Sequence, residues 1–119
     1  MKILRKIFGT RNPRWGVTYS VYDGLEILEA SIRSIRPHVD YVNVVYSDIS
    51  WYGVPAGPEL LPLLKKLKKA GLIDELIKFD FEPTEHSGGH LETQKRQMGL
   101  DAAKGACDYL LLSDADELY

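Results

Sequence analysis

Hydrophobic and polar positions alternate with a period of two near the start of the chain, then switch to steps of three and four. In WGVTYSVY (15–22), Val17, Tyr19 and Val21 alternate with Thr18, Ser20 and Tyr22, and the stretch is rich in β-branched and aromatic residues. That pattern predicts a strand. Asp23-Gly24 turns the chain, with Asp23 expected to cap the helix that follows. Leu25, Leu28, Ile32 and Ile35 recur at helical spacing, which predicts a helix over 25–36 stopped by Pro37. Val42, Val44 and Val45 mark a second strand over 40–47 (DYVNVVYS). A strand, a helix and a strand within about thirty residues make a βαβ unit, whose crossover is almost always right-handed.

The same alternation continues. Leu60, Leu63, Leu64 and Leu67 form one stripe of a helix over 58–70, with Gly71 as its C-cap. Pro62 falls in or near the first turn, where its cost is limited. LIKFDF (76–81) predicts a third strand. Leu91, Met98 and Ala102 place a third helix over 91–105, with Lys95, Arg96 and Lys104 away from its apolar side. Asp108 opens a fourth strand, whose apolar run from Tyr109 to Leu112 reads as a buried strand of a parallel sheet. The order is strand, helix, strand, helix, strand, helix, strand. It predicts an α/β fold: a Rossmann-like parallel sheet of about four strands flanked by helices, half of a doubly wound architecture. Residues 1–14 are read as an N-terminal arm, and 15–119 as one domain.

Composition narrows the class. Hydrophobic content of 45% and charged content of 27% are ordinary for a soluble globular domain. A formal net charge of -2 gives no electrostatic case for nucleic acid as a partner. The lone cysteine, Cys107, excludes an intramolecular disulfide and any cysteine-based zinc cluster, and packing is its expected role. No run approaches the roughly 18 apolar residues of a membrane span. The basic, apolar segment from Met1 to Phe8 is interrupted by Arg5 and Lys6, so it lacks the core of a signal peptide. The expectation is a cytoplasmic chain with no transmembrane segment. Lys65, Lys66, Lys68 and Lys69 suit a solvated face near a helix C-terminus.

Candidate chemistry lies at the carboxyl ends of the strands, where open α/β sheets bind ligands. Those ends gather Tyr22, Asp23, Ser47, Asp48, the 81–90 loop and the acids Asp114, Asp116 and Glu117. Asp114 and Asp116, two apart on an extended chain, point to the same side. Such a pair of hard oxygen ligands suits Mg²⁺ or Mn²⁺ bridging to substrate phosphates. An acidic turn at a strand end is the alternative reading of the same residues. His86, His90 and Glu92 match no zinc pattern. Trp51 and Tyr52, in a loop rich in Gly and Pro, either close over a ligand or anchor the loop.

Tyr22-Asp23 at the end of the first strand, Lys95-Arg96-Gln97-Met98-Gly99-Leu100 on the third helix and Asp114-Ala115-Asp116-Glu117 after the fourth strand occur in a characteristic order. With them, the chain from about Trp15 onward resembles the nucleotide-binding half of GT-A glycosyltransferases, family 2 in particular. The resemblance implies a nucleotide-diphosphate sugar as ligand, a UDP-sugar favoured, and Mn²⁺ or Mg²⁺ as cofactor. It implies that Asp116 holds the cation, that Asp114 holds the ribose or shares the metal, and that Asp48 accepts a hydrogen bond from the base. It sets Arg96 near the base and phosphates. In such enzymes the acceptor site and any base come after the Asp-x-Asp strand. The expectation is therefore a domain truncated at its C-terminus or, alternatively, a non-catalytic binding or assembly module. The fourth strand is expected to offer an open edge through which copies can pair. Phosphatases of the haloacid dehalogenase type also carry Asp-x-Asp after an apolar strand, but there Thr or Val follows, where Glu117 stands here.

Overall fold

The computed structural model describes residues 12–50, 52–82 and 88–114. Strands β1 (Trp15–Val21), β2 (Tyr41–Tyr46), β3 (Glu75–Lys78) and β4 (Tyr109–Asp114) form one all-parallel sheet in the order β3-β2-β1-β4. Helices α1 (Leu25–Ile35), α2 (Leu60–Lys69) and α3 (Gly88–Ala103) make the three crossovers. The architecture is α/β and Rossmann-like, as the alternating pattern predicted. The chain steps from β1 outward to β3, then returns to the other side of β1. That reversal opens a crevice beside the carboxyl end of β1. Among the described residues, no helix is long and apolar enough to cross a membrane.

One face of the sheet is mainly apolar. Val17, Tyr19 and Val21 of β1 and Val42 and Val44 of β2 pack against Leu28 and Ile32 of α1 and Leu60, Leu64 and Leu67 of α2. These are the helix stripes read from the leucine and isoleucine spacing. Pro62 is the third residue of α2, where the missing N–H has no partner to lose. Gly71, with φ +79, follows the Ala70 C-cap and reverses the chain.

The other face is covered by α3 and is partly polar. The buried positions of this helix are Leu91, Lys95, Gly99 and Ala103, four residues apart, rather than an apolar line through Met98 and Ala102. Gly99 is required by close approach: a Cβ there would meet the Thr18 hydroxyl at 2.1 Å. Thr18 donates to Asn43 Oδ1, and Asn43 Nδ2 donates in turn to the Gly99 carbonyl at 3.0 Å and to the Tyr41 hydroxyl at 3.1 Å. The buried amide is thus satisfied across β1, β2 and α3. Cys107 packs against Gly16, as expected for a packing thiol.

Register is set at the opposite, amino end of the sheet by one repeated device. Asp40, Asp74 and Asp108 each directly precede a strand. Asp40 N–H donates to the Trp15 carbonyl at 2.7 Å, and Trp15 N–H donates back to its carboxylate at 2.8 Å. Asp74 exchanges the same pair with Val42 at 2.8 and 2.8 Å. Asp108 does so with Arg14 at 2.7 and 2.7 Å. Each clamp pins a strand to its neighbour with a charge-assisted bond. The carboxyl ends are thereby held level.

Two expectations are corrected. Asp23 does not cap α1. The N-cap is Gly24, whose φ of 75 is the left-handed turn a glycine adopts without strain, and no side chain caps the helix. Nor is β4 a buried strand: Tyr109, Leu111 and Leu112 are each more than 40% exposed. Among the described residues β4 pairs only with β1, and α3 lies mainly over β1 and β2, so both faces of β4 are left partly open.

Candidate functional site

The carboxyl ends of β1, β2 and β4 enclose a cavity of about 540 Å³, a size typical of small-molecule sites. Each element contributes for a local reason. β1 ends in Ser20 and, just beyond Val21, in Tyr22 and Asp23. The left-handed Gly24 swings the chain into α1 and leaves the Asp23 carboxylate in the wall, with Glu26 one turn on. β2 delivers Ser47, and the loop after it delivers Ile49 and Ser50. α3 supplies Glu92 and Lys95, and β4 supplies Asp114 at its last residue.

The described residues of the loop after β2 are tied to one another. Ile49 bridges Pro55, and the Ser50 hydroxyl accepts the N–H groups of Tyr52 and Val54 at 3.2 and 3.0 Å. The Tyr22 hydroxyl donates to the Val54 carbonyl at 2.7 Å and ties this loop to the end of β1. Tyr22 therefore both lines the cavity and latches its wall. Tyr52 is 80% exposed, so its ring is not packed as an anchor for the loop. Trp51 lies outside the described residues.

Lys95 is the residue that periodicity placed wrongly. It is 2% exposed, and its Nζ donates to the Val21 carbonyl at 2.7 Å. Burial pushes its pKa down to about 8, while the carboxylates of Glu92, Asp114 and Asp23 pull the other way. The same carbonyl accepts the Ser47 N–H at 3.0 Å, so Ser47 and Lys95 stand side by side at the end of β1. The Ser47 hydroxyl is buried and has no hydrogen-bond partner among the described residues. An unsatisfied buried hydroxyl costs about 1–3 kcal/mol, an unusual expense in a native fold. A lysine in a four-residue stripe and a serine following a valine-rich strand carry no periodic signal. Only the burial exposes them.

The structure divides the residues chosen from sequence. Tyr22, Asp23 and Asp114 meet in the cavity. Arg96 reaches the same corner but faces its carboxylates: it donates to Asp114 at 3.3 Å and to Glu92 at 3.0 Å. Asp48 is not in this cavity. It turns toward β3, where Lys78 pairs with it at 3.1 Å and with Asp80 at 3.3 Å, and these two carboxylates, Asp48 first, raise the lysine's pKa. The reason is local, since β2 alternates its faces and Ser47, not Asp48, falls on the cavity side. Asp116 and His86 lie outside the described residues. The His90 ring lies within hydrogen-bond distance of the Gln94 side chain, at 3.1 Å.

Four carboxylates, Asp23, Glu26, Glu92 and Asp114, line the cavity beside the single ammonium of Lys95. Such a wall accepts hydrogen bonds from ligand hydroxyls and attracts cations. Among the described residues no group of three or more Asp, Glu, His or Cys side chains is set to hold a metal ion. The donor chemistry still fits Mg²⁺ or Mn²⁺, because these ions commonly take one or two carboxylates and complete their shell with water and phosphate. No protein-family profile, curated protein or solved structure matches the chain.

Proposed function

We propose that this chain is a glycosyltransferase-type domain that binds a nucleotide-diphosphate sugar, a UDP-sugar in the first instance, together with Mn²⁺ or Mg²⁺, for transfer of the sugar to an acceptor. The observation that carries the proposal is the acidic cavity at the reversal point of a parallel sheet, where Tyr22, Asp23 and Asp114 converge. Fold alone assigns no activity, so the weight rests on these side chains.

Asp114, with Asp116 two residues on, would hold the divalent cation. When bound, such an ion neutralises negative charge on a departing diphosphate as a Lewis acid. The chain's own residues do the rest. Asp23 and Glu26 accept hydrogen bonds from ribose or sugar hydroxyls. Tyr22 holds the loop after β2 as one wall and so keeps the cavity shaped for a ring-sized ligand. Arg96 bridges the Asp114 and Glu92 carboxylates through one nitrogen and orients them, a positioning role in place of the base contact implied by resemblance. Asp48 has no role at this cavity, and the proposal assigns it none.

Isothermal titration of UDP in the presence of Mn²⁺ tests the reading. Binding that depends on the metal and weakens at least about tenfold in Asp114→Asn, as expected for a lost charge-assisted contact, supports it. Equal binding with and without chelator, or none, removes it.

A further inference from the structure

The cavity wall is acidic, and a phosphate group meets repulsion over most of it. Asp23, Glu26 and Glu92 are exposed and Asp114 is half-buried, so these charges sit at the water-screened rim. Ionised phosphate only accepts hydrogen bonds, and carboxylates have none to donate. Donors are therefore what a phosphate needs, and the two fully buried residues among those lining the cavity are both donors. Ser47 and Lys95, 1% and 2% exposed, both line the cavity and both bond the Val21 carbonyl, through the Ser47 N–H and Lys95 Nζ. The Ser47 hydroxyl is left without a partner among the described residues. Val21 keeps its bond from the Ser47 amide if the lysine is gone, and a buried hydroxyl with no partner adds nothing to packing that a methyl would not.

We propose that Ser47 and Lys95 form a phosphate-binding subsite on the floor of the cavity, distinct from the carboxylates at its rim. The Ser47 hydroxyl turns about its Cα–Cβ bond to donate to one phosphate oxygen, and the ammonium of Lys95 donates to a second. The pair is charge-assisted on one side and neutral on the other. The identity of the whole ligand as a nucleotide rests on the reading given above; the phosphate subsite does not.

Titration of the full chain with inorganic pyrophosphate, uridine and UDP, at one fixed Mg²⁺ concentration, tests it. Ser47→Ala is expected to weaken pyrophosphate and UDP by about tenfold and Lys95→Met by about 10- to 100-fold, with uridine unaffected by either. Ser47→Ala should keep the thermal midpoint of the parent chain, so its effect reads binding and not folding. If pyrophosphate binding falls as expected but UDP binds no more tightly than pyrophosphate, the subsite stands and the nucleotide reading fails. If UDP binds and neither substitution changes its affinity, the subsite is refuted and the nucleotide reading survives. If neither pyrophosphate nor UDP binds the parent chain, both are refuted.

Discussion

Lys95 concentrates the competing forces in this molecule. Removing an ammonium from water is costly, and the three nearby carboxylates offset that cost only in part, since its pKa falls to about 8 from 10.5. The sign of the consequence follows from proton counting. Between pH 8 and about 10.5 the unfolded chain holds more protons at this residue than the folded one, so folding stability from this group rises with pH across that window. The gap corresponds to about 3 kcal/mol at full extent. Denaturant unfolding at pH 7, 8, 9 and 10 is expected to show a gain in the parent relative to Lys95→Met, which lacks the titrating group. A pH-independent difference between the two would contradict the burial. Nothing in the spacing of helical leucines could have revealed this residue. Its position in the stripe Leu91, Lys95, Gly99, Ala103 becomes visible only once Gly99 is seen to let the helix approach Thr18.

Among the elements, the three helices and four strands were legible from periodicity and from apolar runs. The limits of that legibility are equally specific. A run of leucines predicts burial, yet Leu111 and Leu112 are both partly exposed because β4 has one strand neighbour among the described residues and little helix above it. Whether a strand is central or at an edge is a property of topology, not of its own residues. Asp23 has the chemistry of a cap, but Gly24 takes the left-handed turn first, and a side chain cannot cap a helix from outside it. The strand-leading aspartates were visible as Asp40 and Asp108 at strand starts; their reciprocal bonds to the neighbouring strand were not, since the partners lie more than twenty residues away. Asp74 carries the clearest test, because Val42 N–H and Arg36 both bond its carboxylate, at 2.8 and 2.7 Å. Asp74→Ala is expected to lower stability by about 1–3 kcal/mol, as a buried backbone donor loses its charged acceptor, and Asp74→Asn by less. Chemical denaturation measures both, and equal losses would mean the carboxylate's charge plays no part.

At the scale of the whole molecule, three parallel crossovers and their amino-end clamps hold the carboxyl ends of β1, β2 and β4 around one cavity. The general position of a site at those ends was legible from fold class, and Tyr22, Asp23 and Asp114 were legible with it. Asp48 was not separable from Ser47 in sequence, because a one-residue difference at a strand end decides which side of the sheet a side chain serves. The structure sends Asp48 to Lys78 and keeps Ser47 for the cavity. In the proposed function, a divalent cation and a nucleotide diphosphate meet at the β1 and β4 ends. Paramagnetic broadening of backbone amide signals by Mn²⁺, recorded with UDP present, reads that location directly. Broadening is expected to centre on Tyr22, Asp23, Ser113 and Asp114, and to disappear from them in Asp114→Asn. Broadening centred instead on Asp48, Asp80 and Glu82, or spread evenly over the surface carboxylates, would contradict the claim.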